Sequence, residues 1–213
     1  MMNKKIINEQ FIVNELSIKI REFIDDCVLP VEQEILNNQS GKSDLLSDLF
    51  NTAESRGLRR LFYPKSYGGK IEYLQNYLFI AEQEGRVDFS QSLFSSHSAL
   101  EARILDRFAN ETIKTNFLLP LSKGKIIQSY AMTEPESSGS VAKIMHTTAV
   151  KKTDNWVISG SKWFVCNATN ADFCTVVCKT NNHHQLSLFI VPTDTPGFKI
   201  VRPLSILGEY QGQ

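Results

Sequence analysis

Two kinds of hydrophobic spacing divide the chain. In the first half, apolar residues return every three or four positions, as at Val13, Leu16, Ile20, Phe23, Ile24 and Cys27. That spacing collects them on one face of a helix. Pro30 has no N–H to continue the ladder, so it ends the run or opens a new turn. Leu45, Leu46, Leu49, Phe50 and Ala53 predict a shorter second helix, with Arg56 in its last turn and Gly57 as its C-cap. Leu74, Tyr77, Leu78 and Ala81 predict a third, closed by Gly85. Leu93, Leu100, Ile104, Leu105 and Phe108 predict a fourth. A fifth opens after Asn110, whose short polar side chain suits an N-cap, and carries Ile113, Phe117, Leu118 and Leu121. Between the second and third helices, Pro64, Gly68 and Gly69 exclude a regular element. Phe62, Tyr63 and Tyr67 mark that segment as a loop pinned onto a core.

Past Gly124 the period changes to short β-type runs. Thr147 to Lys151 and Trp156 to Ser159 flank a hairpin turn at Lys152–Asn155. Lys162 to Cys166, Phe173 to Cys178, Leu186 to Val191 and Phe198 to Val201 are further strand candidates. Strands so short and so closely spaced predict a barrel or sandwich. The expected fold is therefore α+β. An all-helical N-terminal domain (1–125) precedes an incomplete antiparallel β-barrel or sandwich domain (126–213), cut before its last strands. No strand leads into a glycine-rich dinucleotide loop, so the usual nucleotide-binding fold is not indicated.

Composition narrows the function classes. The 213 residues hold 42% apolar and 22% charged residues, and 23 basic residues balance 23 acidic ones. That fits a globular protein. There is no basic stripe for nucleic acid and no basic amphipathic helix for a bilayer surface. No apolar run reaches the roughly 18 residues of a membrane span. Asn8, Glu9 and Gln10 interrupt the start too early for a signal peptide, so the cytoplasm is the default location. The four cysteines, Cys27, Cys166, Cys174 and Cys178, form no CxxC pair. They read as reduced thiols. The neighbouring His183 and His184 are the only nearby partners for a metal, and no metal site is expected.

Two segments carry candidate chemistry. Tyr130–Ala131–Met132–Thr133–Glu134–Pro135–Glu136 runs into Ser137, Ser138, Gly139 and Ser140. Pro135 holds Glu134 extended. The hydroxyl-rich loop after it either caps its own turns or presents N–H and O–H donors to an anion. In Ser161–Lys162–Trp163–Phe164–Val165–Cys166, alternation sets Trp163 and Val165 on one face and Phe164 and Cys166 on the other. One face would fill a barrel, and the other would pack elsewhere or meet a planar cofactor.

These segments resemble the acyl-CoA dehydrogenase family. Ala131–Met132–Thr133–Glu134–Pro135 is similar to its Thr-Glu-Pro signature. Tyr63–Pro64 to Tyr67–Gly68–Gly69 resembles its Pro-x-x-Tyr-Gly-Gly loop, and Ala81–Glu82–Gln83–Glu84–Gly85–Arg86 its Ala-Glu-Glu-x-Gly-Arg helix end. Gly160 to Val165 resembles Gly-x-Lys-x-Trp-Ile, and Pro196–Gly197–Phe198 a Pro-Gly-Val strand start. All five occur in the family's order, over nearly all of residues 5–210.

The resemblance implies FAD as cofactor and oxidation of a fatty acyl-CoA to the trans-2-enoyl-CoA. It implies flavin contacts at Tyr130, Met132, Thr133, Gly139, Phe164 and Cys166, with Thr133 bonding the pyrimidine end. It implies an acyl-CoA site at Leu93, Ser96, His97, Gly139 and Ser140. No catalytic residue is assigned here. In most of the family the base is a Glu of a C-terminal helical domain, and Glu134 is expected to serve only as a structural hydrogen-bonding carboxylate. Implied partners are electron-transfer flavoprotein or a similar acceptor, the missing C-terminal domain or a second chain, and further copies in a homo-oligomer.

The sequence departs from the family at Phe164 (usually Trp), Cys166 (Thr or Ser), Glu136 (Gly), Ser140 (Asp) and the inverted Ser138–Gly139. Phe164 loses an indole donor, and Glu136 adds charge beside an expected pyrophosphate. The remaining readings are a portion completed by another chain, a non-catalytic homologue that binds a partner without flavin, and an unrelated flavin-free binding module.

Overall fold

The computed structural model describes residues 2–37, 44–137, 141, 144–180 and 185–204. The chain divides into two compact units, 1–125 and 126–213.

The first unit is helical. Helix α1 (Met2–Phe23) buries Val13, Leu16, Ile20 and Phe23, the positions the three-four spacing put on one face. It widens into a π-helical turn, Ile24–Val28, which keeps both end residues fully buried. α2 (Glu32–Asn37) and α3 (Asp44–Ser55) follow, and α3 turns Leu46, Leu49 and Ala53 inward. α4 (Leu74–Glu84) packs on α1. Glu9 fixes this pairing. Its buried carboxylate accepts the N–H groups of Glu72 and Tyr73 and the Asn76 amide at 2.8–3.2 Å, beside the start of α4. Those N–H groups have no partner inside the helix, so a carboxylate from a neighbouring helix satisfies them. Burial would raise the Glu9 pKa, but the bonds from Asn76, Glu72, Tyr73 and Lys65 outweigh it and lower it.

The expected fourth helix is two pieces, α5 (Ser90–Leu93) and α6 (Ala99–Phe108), joined through Ser95 in the left-handed region (φ 59°) and a 3-10 turn at Ser96–Ser98. α7 (Glu111–Ile113) is capped by Asn110, whose side chain accepts the Ile113 N–H at 2.9 Å. A second π turn, Lys114–Leu118, leads into α8 (Leu119–Ser122). The loop before α4 is pinned as its aromatics indicate. Tyr63 is fully buried against the Ser98 hydroxyl, and Phe62 stacks on Tyr77 with ring centroids 4.6 Å apart.

The second unit is a five-stranded sheet made of β1 (Gln128–Ala131), β2 (Thr148–Lys152), β3 (Asn155–Ser159), β4 (Phe173–Thr180) and β5 (Gln185–Pro192). β2–β3 and β4–β5 are antiparallel hairpins, the first turning at Thr153, φ 50°. The sheet as a whole is mixed, not antiparallel throughout. β1 runs parallel to β4 from Gln128↔Phe173 to Ala131↔Val176, and β2 meets β4 in parallel at Thr148↔Lys179. β4 is therefore central, and its residues are buried almost without a break, as a strand covered on both faces should be. Among the described strands none pairs β3 with β5 or β1, so the sheet is not closed.

Two expected strands are absent from the sheet. Lys162–Cys166 and Phe198–Val201 are irregular. Phe164 stands at φ 52° and Asn167 at φ 61°, which breaks the extended run. Among the described residues no helix is long and apolar enough to cross a membrane.

Candidate functional site

Beyond β1, Met132 and Thr133 lead to Glu134, which pairs with Ser137 in an isolated antiparallel bridge. Glu134 is the hub of the second unit. Its side chain is 3% exposed and that of Lys162 8%. The carboxylate accepts the backbone N–H of His146 (2.6 Å) and Thr147 (2.7 Å), the Ser137 hydroxyl (3.2 Å) and Lys162 Nζ (3.0 Å). Burial alone would raise its pKa. The nearby Thr147 hydroxyl, the bonds from the His146 and Thr147 amides and that from Lys162 outweigh this and lower it to about 2. So held, it is an anion at any physiological pH and a poor proton acceptor, in line with its expected structural role.

The segment Ser161–Cys166 lies alongside Met132–Glu134. Lys162 Nζ donates to the Met132 carbonyl at 2.8 Å, and the Trp163 N–H donates to the Thr133 carbonyl at 3.0 Å. Four of the expected flavin contacts, Met132, Thr133, Phe164 and Cys166, thus belong to two segments bonded to each other. Phe164 is 56% exposed, and its ring meets Trp163 edge-on at 4.8 Å. A bulky residue held at positive φ is uncommon and strained, and it places a large aromatic ring at the surface. Tyr130 and Cys166 are also exposed.

On the inner side of the unclosed sheet lies a cavity of about 810 Å³. Phe164, Val165 and Cys166 line it with Trp156, Val176 and Phe198; Tyr130, Met132 and Thr133 do not. No carboxylate is among its described lining residues. Gly139 and Ser140 lie outside the described residues, as do His183 and His184.

In the first unit, Leu93 is fully buried and Ser96 and His97 are partly so. They follow one another through α5 and the 3-10 turn. The His97 ring bonds the Gln91 carbonyl at 2.9 Å, and burial depresses its pKa. Periodicity gave no hint of Glu84, which lies buried with the Tyr77 hydroxyl 2.9 Å from its Oε2. Burial is the main cause of its pKa rising to about 7, partly offset by the neighbouring hydroxyls of Ser96 and Tyr77. A raised carboxylate pKa favours the folded state while the group is protonated. That stability is present below the ordinary carboxylate pKa of 4.5 and is lost as pH rises through about 7. Glu84→Gln, neutral throughout, should reduce the loss of stability between pH 5 and pH 8 by roughly 2–3 kcal/mol. Urea unfolding at the two pH values checks this.

Two family models match the chain in tandem: the acyl-CoA dehydrogenase N-terminal domain over residues 14–125 and the acyl-CoA dehydrogenase middle domain over 129–210. The chain belongs to the acyl-CoA dehydrogenase family. The human acyl-CoA dehydrogenase family member 11 is 31% identical over 212 residues, covering 91% of this chain but 27% of the human protein. A proposed acyl-CoA dehydrogenase from Mycobacterium abscessus superimposes with a TM-score of 0.81 at 29% identity, covering 93% of this chain and 54% of that one. An acyl-CoA dehydrogenase from Bacillus anthracis, solved in complex with FAD, gives 0.66 at 28% identity, covering 87% of this chain and 31% of that one. The chain thus spans between a quarter and about half of these relatives' lengths.

Proposed function

We propose that this acyl-CoA dehydrogenase chain is by itself a binding component and not a catalyst. It carries a flavin-facing surface and does not dehydrogenate acyl-CoA alone. The carrying observation is the state of its carboxylates: Glu84, although raised to about 7, is buried with the Tyr77 hydroxyl on its Oε2. Glu134, the acid of the signature segment, is locked in four hydrogen bonds at a pKa of about 2, and no acid is among the described residues lining the cavity. Abstraction of an α proton needs a base within reach with a pKa matched to the task. The reaction of a completed enzyme is then α,β-dehydrogenation of a fatty acyl-CoA, with electrons passed to electron-transfer flavoprotein or a similar acceptor. The base and the rest of the site come from a C-terminal domain or a second chain.

The described residues fit a flavin ring. Among them no acceptor takes the Thr133 hydroxyl or the Thr133 N–H, although both neighbouring carbonyls are bonded. Two unused donors side by side suit the carbonyl-rich pyrimidine edge of an isoalloxazine, and the exposed rings of Phe164 and Tyr130 offer apolar surface to its plane. Met132, Cys166 and Gly139 are assigned to this surface by the family pattern. FAD, when bound, supplies the hydride acceptor; the chain's own part is to orient the ring and exclude water. In the first unit the family pattern assigns acyl-CoA contacts to Leu93, Ser96 and His97.

Fluorescence titration tests this reading. The chain purified without added cofactor should be colourless, because much of a flavin's surface would remain uncovered. Added FAD should be quenched saturably, and Thr133→Val, which removes the hydroxyl and keeps the N–H, should weaken binding by about ten-fold, the effect of one lost hydrogen bond. Quenching that never saturates would rule out a flavin surface on this chain.

A further inference from the structure

We propose that Lys162 is a positioning residue that sets the peptide between Met132 and Thr133, and so aims the Thr133 N–H. The inference rests on the flavin reading above and adds a residue that reading does not use.

Lys162 makes two bonds from a buried ammonium, to Glu134 at 3.0 Å and to the Met132 carbonyl at 2.8 Å. Only the second is unique. Glu134 already has three other donors, from His146, Thr147 and Ser137, so its carboxylate is not left bare without the lysine. Among the described residues no other donor reaches the Met132 carbonyl.

That carbonyl belongs to the same planar unit as the Thr133 N–H. In a trans peptide the two point in opposite directions, and the plane resists twisting. Fixing the carbonyl on Lys162 therefore fixes the N–H pointing away from it. One peptide further on, the Trp163 N–H holds the Thr133 carbonyl at 3.0 Å, so the next peptide plane is held as well. Glu134 anchors the lysine in turn. The chain of control runs from Glu134 to Lys162 to the Met132 carbonyl to the Thr133 N–H, a donor that finds no acceptor among the described residues. An orphan donor held in one direction is preorganised for a ligand acceptor.

The test uses the full chain with Lys162→Met and Lys162→Arg. In wild type and both variants, FAD affinity is measured by flavin fluorescence, and backbone amide exchange is measured without FAD. Lys162→Met should weaken FAD by about ten-fold, and Lys162→Arg, which keeps charge and donors, should recover most of it. Without FAD, the Trp163 amide should exchange about ten-fold faster in Lys162→Met. The His146 and Thr147 amides should keep their protection because Glu134 still holds them. Unchanged FAD affinity and unchanged Trp163 exchange in Lys162→Met would overturn the proposal. So would equal loosening of all three amides, which would make Lys162 a general stabiliser. If wild type binds no FAD, the flavin reading fails by itself, and the exchange pattern still decides whether Lys162 sets this peptide.

Discussion

Glu134→Ala should destabilise the second unit by about 3–5 kcal/mol at neutral pH, the range for removing one partner of a buried ion pair. The alanine leaves the His146 and Thr147 N–H groups without their acceptor and strands the Lys162 ammonium in a site where it is 8% exposed. Glu134→Gln keeps an acceptor of the same shape and should fall between the two. The same carboxylate gives a pH signature. Its folded pKa of about 2 lies below its ordinary 4.5, so its contribution is complete above the ordinary value. It is lost as pH falls through that window. The His146 ring, 3.8 Å from the carboxylate, is exposed. Chemical denaturation at pH 7 and pH 3 should show wild type losing this stability with acid, and Glu134→Ala losing less because it has none left to lose.

Gly69→Ala should cost about 3 kcal/mol or more, and Gly68→Ala only about 1 kcal/mol. The two glycines are adjacent, but their reasons differ. Gly68 takes φ +92° with open space around it, so an alanine there meets backbone strain alone. At Gly69 an added Cβ would lie 1.7 Å from the Tyr63 carbonyl oxygen. That oxygen is backbone, and Tyr63 is anchored by a fully buried ring, so neither can move aside. Thermal unfolding of the two single variants decides between the readings. Equal losses would mean that the clash relaxes.

In α1 and α3 burial follows period and the helices were legible, whereas Leu74 and Leu78 of α4 and Leu100 and Phe108 of α6, expected on buried faces, are exposed. Val13, Leu16 and Ile20, then Leu46, Leu49 and Ala53, face inward as their spacing requires, and Asn110 caps as its chemistry suggests. Glu9 and Glu84 were not legible. Periodicity treats an acid as surface, and what keeps Glu9 inside lies more than 60 residues away, at Glu72, Tyr73 and Asn76. In the second unit, strand existence was clear for both hairpins, but strand direction was not. Short apolar runs carry no register information that would set β1 parallel to β4. Lys162–Cys166 alternated like a strand, yet its bonds run to Met132–Glu134 and Phe164 sits at positive φ. The pairing of these two segments became visible only once they were placed side by side.

The central claim, a flavin-facing surface without its own catalysis, is met most directly by anaerobic mixing of this chain, FAD and a fatty acyl-CoA. The long-wavelength flavin absorption should persist with no trans-2-enoyl-CoA formed. Bleaching of that band with an equivalent of enoyl-CoA would contradict the account, because it would require a base within this chain.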